Sequence, residues 1–510
     1  MNRVERDDKA AVDLQEGYRR AEFSQTARYL DELLESAPNA EAVLLRARVA
    51  LRSRKPSEAL VVLASHAAQL GAPDDRAKAA LISGSAFARL GDREAAEAQF
   101  TSAAAESVNN SSLRLALLYE RAAAAWIARD LHEAESRLDE FSALNPPLGE
   151  LFLEAQVLRG MIAASRGNLA EQGAIMLEAL ARLHTLEKPP VIHWAVVASQ
   201  IAYLAREMPS RALRDAATAE LVRLPWTIDL SEYRFTMTRA IGWRHALDGD
   251  YFNAFRRLKE AQAHAPSDAW LVMALCDRAY LASVLGERHW SEQELRDAHE
   301  LAASISWSAL DREERFALCV LAELFAPRDS ALALSYFARY RALGNHFDRT
   351  LASSEDRRVE AMEAFSFGVV KDALGEKGEA IRLLRRAWTI YDGIGYDWRA
   401  GRVAKLLAEI TADDAWKARS ALKLRDYENS WLCTADISVA GLPQKAHSLT
   451  PARRAVYELL LQGLTTAQIA TEQGRSEFTV RNHVKAIFKA FGVKSRPALL
   501  AQAARQQTLE

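Results

Sequence analysis

The stretch "SEFTVRNHVKAIFKAFGV" at residues 476–493 has the residue types and spacing of a short amphipathic helix with a basic side. Its polar residues Arg481, Asn482 and Lys485 fall away from the apolar side, which would carry Val480, Val484, Ile487, Phe488 and Phe491. Arginine can hydrogen-bond guanine twice, asparagine can pair with adenine, and lysine suits a phosphate or guanine. From the residues alone, the basic side could contact nucleic acid, an acidic membrane, an acidic protein, or only water.

The segment around this helix is basic, whereas the rest of the chain is acidic. The 510 residues carry a formal net charge of only -2, but residues 445–505 contain ten Lys or Arg against three Asp or Glu, a net charge of +7. Residues 1–444 carry a net charge of -8. A compact basic segment on an acidic body indicates a polyanionic partner for that segment.

Further short helices are expected beside the basic one. Pro451 suits the first position of one helix, and Thr465 can cap a second, "TAQIATEQ". Gly474 supplies a tight turn, Ser476 caps the basic helix, and a last helix is expected to start near Ser495. A short helix, a glycine-containing turn and a longer basic helix are spaced as in a helix-turn-helix, whose second helix enters the major groove of DNA.

Upstream of a predicted linker at residues 435–447, the sequence predicts a series of helical pairs. Four twenty-residue windows, beginning at residues 84, 160, 242 and 368, align without gaps and have glycine at their first and eighth positions. Each has a large apolar residue at its seventeenth position and alanine at its twentieth. We expect the first glycine to let two helices approach closely and the second to end the first helix. The window spacing predicts roughly eight to ten pairs across about residues 20–434.

This pattern resembles the tetratricopeptide repeat, whose small-residue, turn and alanine positions fall at these offsets. The resemblance implies a right-handed superhelix of stacked helical pairs with a concave surface. For residues 1–434 we therefore expect a sensor or interaction domain that binds an unidentified small-molecule, peptide or protein effector. All eleven tryptophans lie in this region, where they either line a groove or pack between helices.

The C-terminal elements resemble the LuxR-type helix-turn-helix family. The matching stretches are "LTP" at 449–451, "GLTTAQIA" at 463–470, "TVRNHVKAIF" at 479–488 and "GVKSR" at 492–496. The resemblance implies a four-helix DNA-binding domain at residues 448–510, as in bacterial transcription regulators that usually bind double-stranded DNA as dimers through the last helix. The whole layout, with long helical repeats ahead of this domain, resembles the MalT-like group.

The resemblance assigns DNA contacts to five residues. Arg481, Asn482 and Lys485 match recognition-helix positions that reach bases and phosphates, and Thr479 and His483 match positions near the DNA backbone. The chain also departs from the family pattern: Arg453 replaces an acidic residue, Gln473 and Arg475 replace apolar ones, and Phe478 replaces a residue that is more often polar.

Motifs for other functions are missing from the sequence. There is no GxxxxGK[ST], HExxH or GxSxG, and Cys276, Cys319 and Cys433 have no metal-ligand spacing. We therefore expect no enzyme, no metal site and no cofactor. Because no signal pattern or apolar run of about eighteen residues occurs, we also expect a soluble cytoplasmic protein without membrane attachment.

The sequence leaves two functions open. The first is an all-α, homodimeric transcription regulator in which tetratricopeptide-like helical repeats precede a LuxR-type DNA-binding domain. The second is a helical-repeat scaffold for protein partners, whose degenerate helix-turn-helix does not bind DNA; the altered turn residues Gln473 and Arg475 motivate it. Membrane-surface binding is disfavoured because the apolar side of the basic helix belongs to the core of the small domain.

Overall fold

The structure is a computed structural model in which every regular element is helical. It describes residues 14, 16–107, 110–128, 130–147, 149–285, 287–310, 312–343, 357–433, 449–461, 464–491, 493 and 499, and no strand occurs among them. Two compact units are present. Unit 1 comprises residues 1–201, 219–233 and 345–357, and unit 2 comprises residues 202–218, 234–344 and 358–510. The predicted all-α class is confirmed.

The described part of the repeat region consists of one helix followed by ten helical hairpins, which agrees with the eight to ten pairs that the window spacing predicts. The helices are α1 (Phe23–Ser36), α2 (Ala40–Arg52), α3 (Pro56–Ser65), α4 (Pro73–Leu90), α5 (Arg93–Glu106), α6 (Ser111–Ile127), α7 (Leu131–Ala143), α8 (Glu150–Ser165), α9 (Leu169–Leu183), α10 (Val191–Glu207), α11 (Arg211–Arg223), α12 (Ser231–Leu247), α13 (Tyr251–Ala263), α14 (Asp268–Val284), α15 (Arg288–Ser304), α16 (Arg312–Phe325), α17 (Ser330–Ala342), α18 (Arg357–Ala373), α19 (Lys377–Gly393), α20 (Asp397–Thr411) and α21 (Asp414–Leu424). Short 3-10 turns lie at Ala67–Gln69, Ile228–Leu230, Trp307–Ala309 and Arg425–Tyr427. Each hairpin begins with an even-numbered helix, and neighbouring even-numbered helices stack on one another within each unit.

The first glycine of each window sets the distance between the two helices of its hairpin. A Cβ atom built on Gly368 of α18 would lie 2.8 Å from Leu384 Cγ of α19, closer than real side chains approach. The same pairing joins Gly84 to Phe100, Gly160 to Met176 and Gly242 to Leu258. The predicted close approach is confirmed, and the apolar residue at position 17 fills the space that each glycine leaves.

The second glycine of each window ends the first helix. Gly91 has a φ of 83°, in the left-handed region that glycine adopts without steric cost. Its amide donates to the Ala88 carbonyl and the Asp92 amide donates to the Phe87 carbonyl, which is a Schellman cap. The side chain of Asp92 then accepts from the Ala95 amide and caps the second helix. Glycines 167, 249 and 375 have φ values of 82°, 78° and 78°.

Tryptophans contribute mainly to helix packing. Six of the eleven are buried: Trp243, Trp270, Trp307, Trp398, Trp416 and Trp431. The other five are half-buried. The indole rings of Trp243 and Trp431 contact each other at a centroid distance of 5.8 Å within one apolar cluster of unit 2. For the six buried rings, packing rather than exposure in a groove is therefore the observed role.

Each unit also contains a largely buried carboxylate that no local sequence pattern predicted. In unit 1, Glu154 pairs with Arg52, and its Oε1 accepts a hydrogen bond from His193 Nε2 at 2.8 Å. In unit 2, Glu207 is fully buried and pairs with Arg399, whose Nη2 lies 2.9 Å from Glu207 Oε1. These partners come from helices far apart in sequence, so only the folded chain brings them together.

The C-terminal module contains three described helices, α22 (Pro451–Leu461), α23 (Thr466–Glu472) and α24 (Glu477–Phe491). The predicted linker at 435–447 and Ser495 lie outside the described residues, so the domain boundaries stay predictions. Of the predicted fourth helix, Leu499 is described, and it is buried in the core of the module. Across the described parts of the chain, no helix has the length and apolarity needed to cross a bilayer.

Replacing Gly368 by alanine is expected to destabilise the α18–α19 hairpin, because the added Cβ must displace the fully buried Leu384. Overpacking of this kind costs about 1–3 kcal/mol. Gly378→Ala is the matched control, since a Cβ at Gly378 meets nothing within 4 Å. Urea midpoints of the full-length variants, followed by circular dichroism, should place Gly368→Ala below the wild type and Gly378→Ala at or above it. Equal midpoints for the two variants would contradict the packing role.

Candidate nucleic-acid interface

An apolar core holds α24 and determines which side of it faces solvent. Val480, Ile487 and Phe491 of this helix are buried, and the Phe491 ring stacks on Tyr457 of α22 at a centroid distance of 4.9 Å. Ile469 of α23 is buried in the same cluster. Because these contacts use one stripe of α24, the opposite stripe is directed to solvent.

The turn before α24 is closed by the caps that the sequence predicts. Thr465 and Gln468 form a capping box at the start of α23: the Gln468 amide donates to Thr465 Oγ1 at 3.3 Å, and the Thr465 amide donates to Gln468 Oε1 at 2.9 Å. Gly474 has a φ of 60°, and the Arg475 amide donates to the Ala470 carbonyl at 2.9 Å. This geometry ends α23 and turns the chain into α24.

The first turn of α24 is capped by Ser476. The Thr479 amide donates to Ser476 Oγ at 3.2 Å, and the two hydroxyl oxygens lie 2.8 Å apart. Thr479 is half-buried beside this cap. The N-terminus of a helix attracts anions because its amide groups lack partners inside the helix, so this turn is suited to a phosphate.

Three of the five predicted DNA contacts share the exposed side of α24. Arg481, Asn482 and Lys485 are all exposed, at the spacing that places residues on one helix face. Arg481 Nη2 lies 2.6 Å from Oε1 of Glu477, one turn earlier, and the two side chains are 63% and 43% exposed. Glu477 also accepts from Thr466 Oγ1 of α23 at 3.4 Å. Sequence reasoning missed Glu477, whose four-residue spacing to Arg481 is the signal that was available.

His483 lies apart from those three residues and faces the turn. It is half-buried, and its Nε2 lies 3.4 Å from Arg475 Nη1. Partial burial and the guanidinium groups of Arg475 and Arg453 lower the pKa of His483 below its ordinary value. Burial is the largest cause of this shift, and Arg475 and Arg453, two positions at which the sequence analysis noted a departure from the family pattern, add to it.

A short capped helix, a glycine turn and a second helix with an exposed basic side define a helix-turn-helix module. Residues 447–503 match the family described as bacterial regulatory proteins, luxR family. Over 62 residues the chain is 44% identical to the spore germination protein GerE of Bacillus subtilis (strain 168), and the match covers 12% of this chain and 84% of that protein. Through its C-terminal module, the chain belongs to the LuxR family of bacterial regulatory proteins.

Two solved structures resemble a larger part of the chain. The apo form of RapI has a TM-score of 0.43 at 14% identity, covering 66% of this chain and 98% of that one. A Rap protein complexed with competence and sporulation factor has a TM-score of 0.38 at 12% identity, covering 68% of this chain and 100% of that one. The helical-repeat assignment here rests on the hairpins and their glycine contacts.

Acidification below about pH 6.5 is expected to destabilise α24 and the turn before it. Because the pKa of His483 is lower in the folded module than its ordinary value of 6.5, the unfolded chain takes up this proton first. The corresponding stability is present above pH 6.5 and is lost as the pH falls through the folded-state pKa. Hydrogen–deuterium exchange of peptides from residues 464–491, corrected for intrinsic rates, should therefore show more opening at pH 5.5 than at pH 7.5.

Two variants serve as controls for this pH response. His483→Gln should remove the acid-induced opening, and Arg475→Gln should reduce it, because one of the repelling charges is gone. An unchanged pH response in His483→Gln would show that another group is responsible.

Proposed function

We propose that this protein is a DNA-binding transcriptional regulator with α24 as its recognition helix. The observation that carries the proposal is the exposed side of α24, where Arg481, Asn482 and Lys485 stand together on a helix held by its core and caps. In the proposed complex Arg481 donates to guanine, Asn482 pairs with adenine, and Lys485 contacts a phosphate or guanine. Thr479 and His483 lie at the DNA backbone.

The charges of the module support the same proposal. The +7 segment attracts a polyanion, and release of counterions makes such binding depend on salt. Arg481 must leave Glu477 to reach a base, but exposed ion pairs of this kind contribute only about 0–1 kcal/mol. Replacing the contact with Glu477 by a contact with DNA is therefore expected to cost little free energy.

Substitution on the exposed side of α24 should weaken DNA binding in distinguishable ways. With promoter fragments identified by genome-wide crosslinking, fluorescence anisotropy at two salt concentrations should show a loss of about 1–3 kcal/mol for Arg481→Ala, with relaxed specificity at one position. Lys485→Ala should reduce the salt slope by about one. Glu477→Gln should tighten binding, because it releases Arg481 and removes a negative charge from the interface.

Lys417→Ala is the charge-matched control for these variants. Lys417 is an exposed lysine of α21, paired with Asp414, so its loss removes the same charge from the repeat region. Affinity like that of the wild type in both Arg481→Ala and Lys485→Ala would contradict the recognition-helix assignment. A crosslinking map without discrete peaks would favour the alternative, a protein-interaction scaffold with a degenerate helix-turn-helix.

We also propose a bacterial, cytoplasmic homodimer in which the last helix of the module pairs two chains. That helix lies almost wholly outside the described residues, and the proposal rests on family membership. Two modules related by a two-fold axis would contact half-sites about one helical turn of DNA apart. The spacing of half-sites in the crosslinked fragments reports on this arrangement directly.

The repeat region is proposed to sense an effector or bind a partner, without enzymatic activity. In unit 2, Arg402 of α20 lies over the rings of Tyr280 in α14 and Phe365 in α18, at 4.9 Å and 4.6 Å from their centroids. Its nearest carboxylate contact, Glu323 of α16, is 3.4 Å away, and the guanidinium side chain is 26% exposed. A partly exposed cation between aromatic rings suits a carboxylate or phosphate of an effector.

Removal of the Arg402 charge should abolish the response to such an effector. In a thermal-shift screen of carboxylate- and phosphate-bearing metabolites with the full-length chain, compounds that raise the melting temperature of the wild type should not stabilise Arg402→Met. Arg385→Met, at an exposed arginine of α19, is the matched control and should respond like the wild type. Equal stabilisation of both variants would exclude Arg402 from the effector site.

A further inference from the structure

Phe478 exposes an apolar ring at the start of the recognition helix. Its side chain is 74% exposed, the most of any phenylalanine or tyrosine among the described residues. It occupies the second position of α24, directly after Glu477. The ring therefore stands in water in the free protein, where burial of its apolar surface by a partner would be favourable.

The core of the module has no role for this ring, and its surroundings do not form an apolar docking patch. Val480, Ile487 and Phe491 already fill the inward stripe of α24. The outward neighbours of Phe478, one turn further along, are the exposed polar residues Arg481 and Asn482. Protein-docking surfaces are contiguous apolar patches, whereas this ring is a single apolar group on a basic surface. The partner that fits this surface therefore carries both negative charge and an isolated apolar group.

Double-stranded DNA has both features in its major groove. Residues at the N-terminal end of a recognition helix contact base edges there. A phenyl ring has no donor for a phosphate, but the C5-methyl group of thymine is an apolar feature of the groove that phenylalanine can contact. Ser476 and the Glu477–Thr466 hydrogen bond hold the first turn of α24, so the ring is presented on a fixed part of the helix.

We propose that Phe478 specifies a thymine in the operator by packing its ring against the C5-methyl group. The inference rests on the proposed DNA-binding function and adds a specificity-determining residue to it. Side chains three or four residues apart on a helix are separated by about 5–6 Å, and base pairs rise by about 3.4 Å. The thymine therefore lies within about two base pairs of the position contacted by Arg481 or Asn482.

The first part of the test selects DNA sites from a random duplex library with three full-length proteins. The wild type should enrich one thymine that Phe478→Ser no longer enriches, while the other positions of the site stay the same. Phe478→Leu keeps an apolar side chain and should retain the preference in weaker form. Because Phe478 lies outside the core, these substitutions should leave the module folded, and unchanged selection at the other positions verifies this.

The second part removes only the methyl group. Each thymine of the selected site is replaced in turn by deoxyuridine, which preserves base pairing and every hydrogen-bonding group. At the thymine contacted by Phe478, the wild type should bind about fourfold more weakly, the effect expected for one buried methyl group. Phe478→Ser should bind the thymine and uridine forms equally, so the two substitutions form a thermodynamic cycle.

The outcomes separate this inference from the proposed function. If the wild type enriches no sequence, the DNA-binding function and the role of Phe478 both fail. If a site is enriched but uridine has no effect, or has the same effect on Phe478→Ser, DNA binding stands and the methyl contact is overturned. A change of oligomeric state in Phe478→Ser, with the uridine effect intact, would place the ring in a protein contact and also overturn the inference.

Discussion

In each aligned hairpin, two helices touch at a glycine, and a large apolar side chain of the second helix fills the space that a Cβ would need. This contact fixes the distance between the helices, and the left-handed glycine that follows fixes where the first helix stops. Repetition of the same contact lets first helices stack beside one another within each unit. Tyr280 and Arg402, which belong to different hairpins of unit 2, become neighbours only in the folded chain.

Buried ion pairs specify which helices distant in sequence pack together, which apolar packing alone does not. Burial alone would raise the pKa of Glu207, but the guanidinium groups of Arg399 and Arg206 lower it to about 2. Glu207 also accepts from Trp398 Nε1 at 2.8 Å. All the hydrogen-bonding groups of this network have partners only when α10 packs against α20 in the observed way. Any other packing would remove a partner and leave a buried charge uncompensated, so the network selects this pairing of α10 with α20.

In the C-terminal module, one set of residues packs α24 into the core, and another set lies on its solvent-exposed side. The inward stripe is apolar and buried, whereas the outward stripe is polar except for Phe478. Of the four positions at which the sequence analysis noted a departure from the family pattern, Arg453 lies in α22, Gln473 and Arg475 lie at the turn, and Phe478 lies in the first turn of α24. Arg453 and Arg475 place positive charge near His483 and help to lower its pKa below the ordinary value.

Local sequence patterns were enough to predict the all-α class, the glycine-marked hairpins, the helix caps and the exposed trio Arg481, Asn482 and Lys485. Each depends on residues within one or two turns, or on a spacing repeated along the chain. The Glu207–Arg399 pair, the lowered pKa of His483 and the exposure of Phe478 depended on tertiary structure. Burial, and the meeting of residues such as Glu207 and Arg399 that lie 192 positions apart, arise only when helices pack, and no local pattern encodes them.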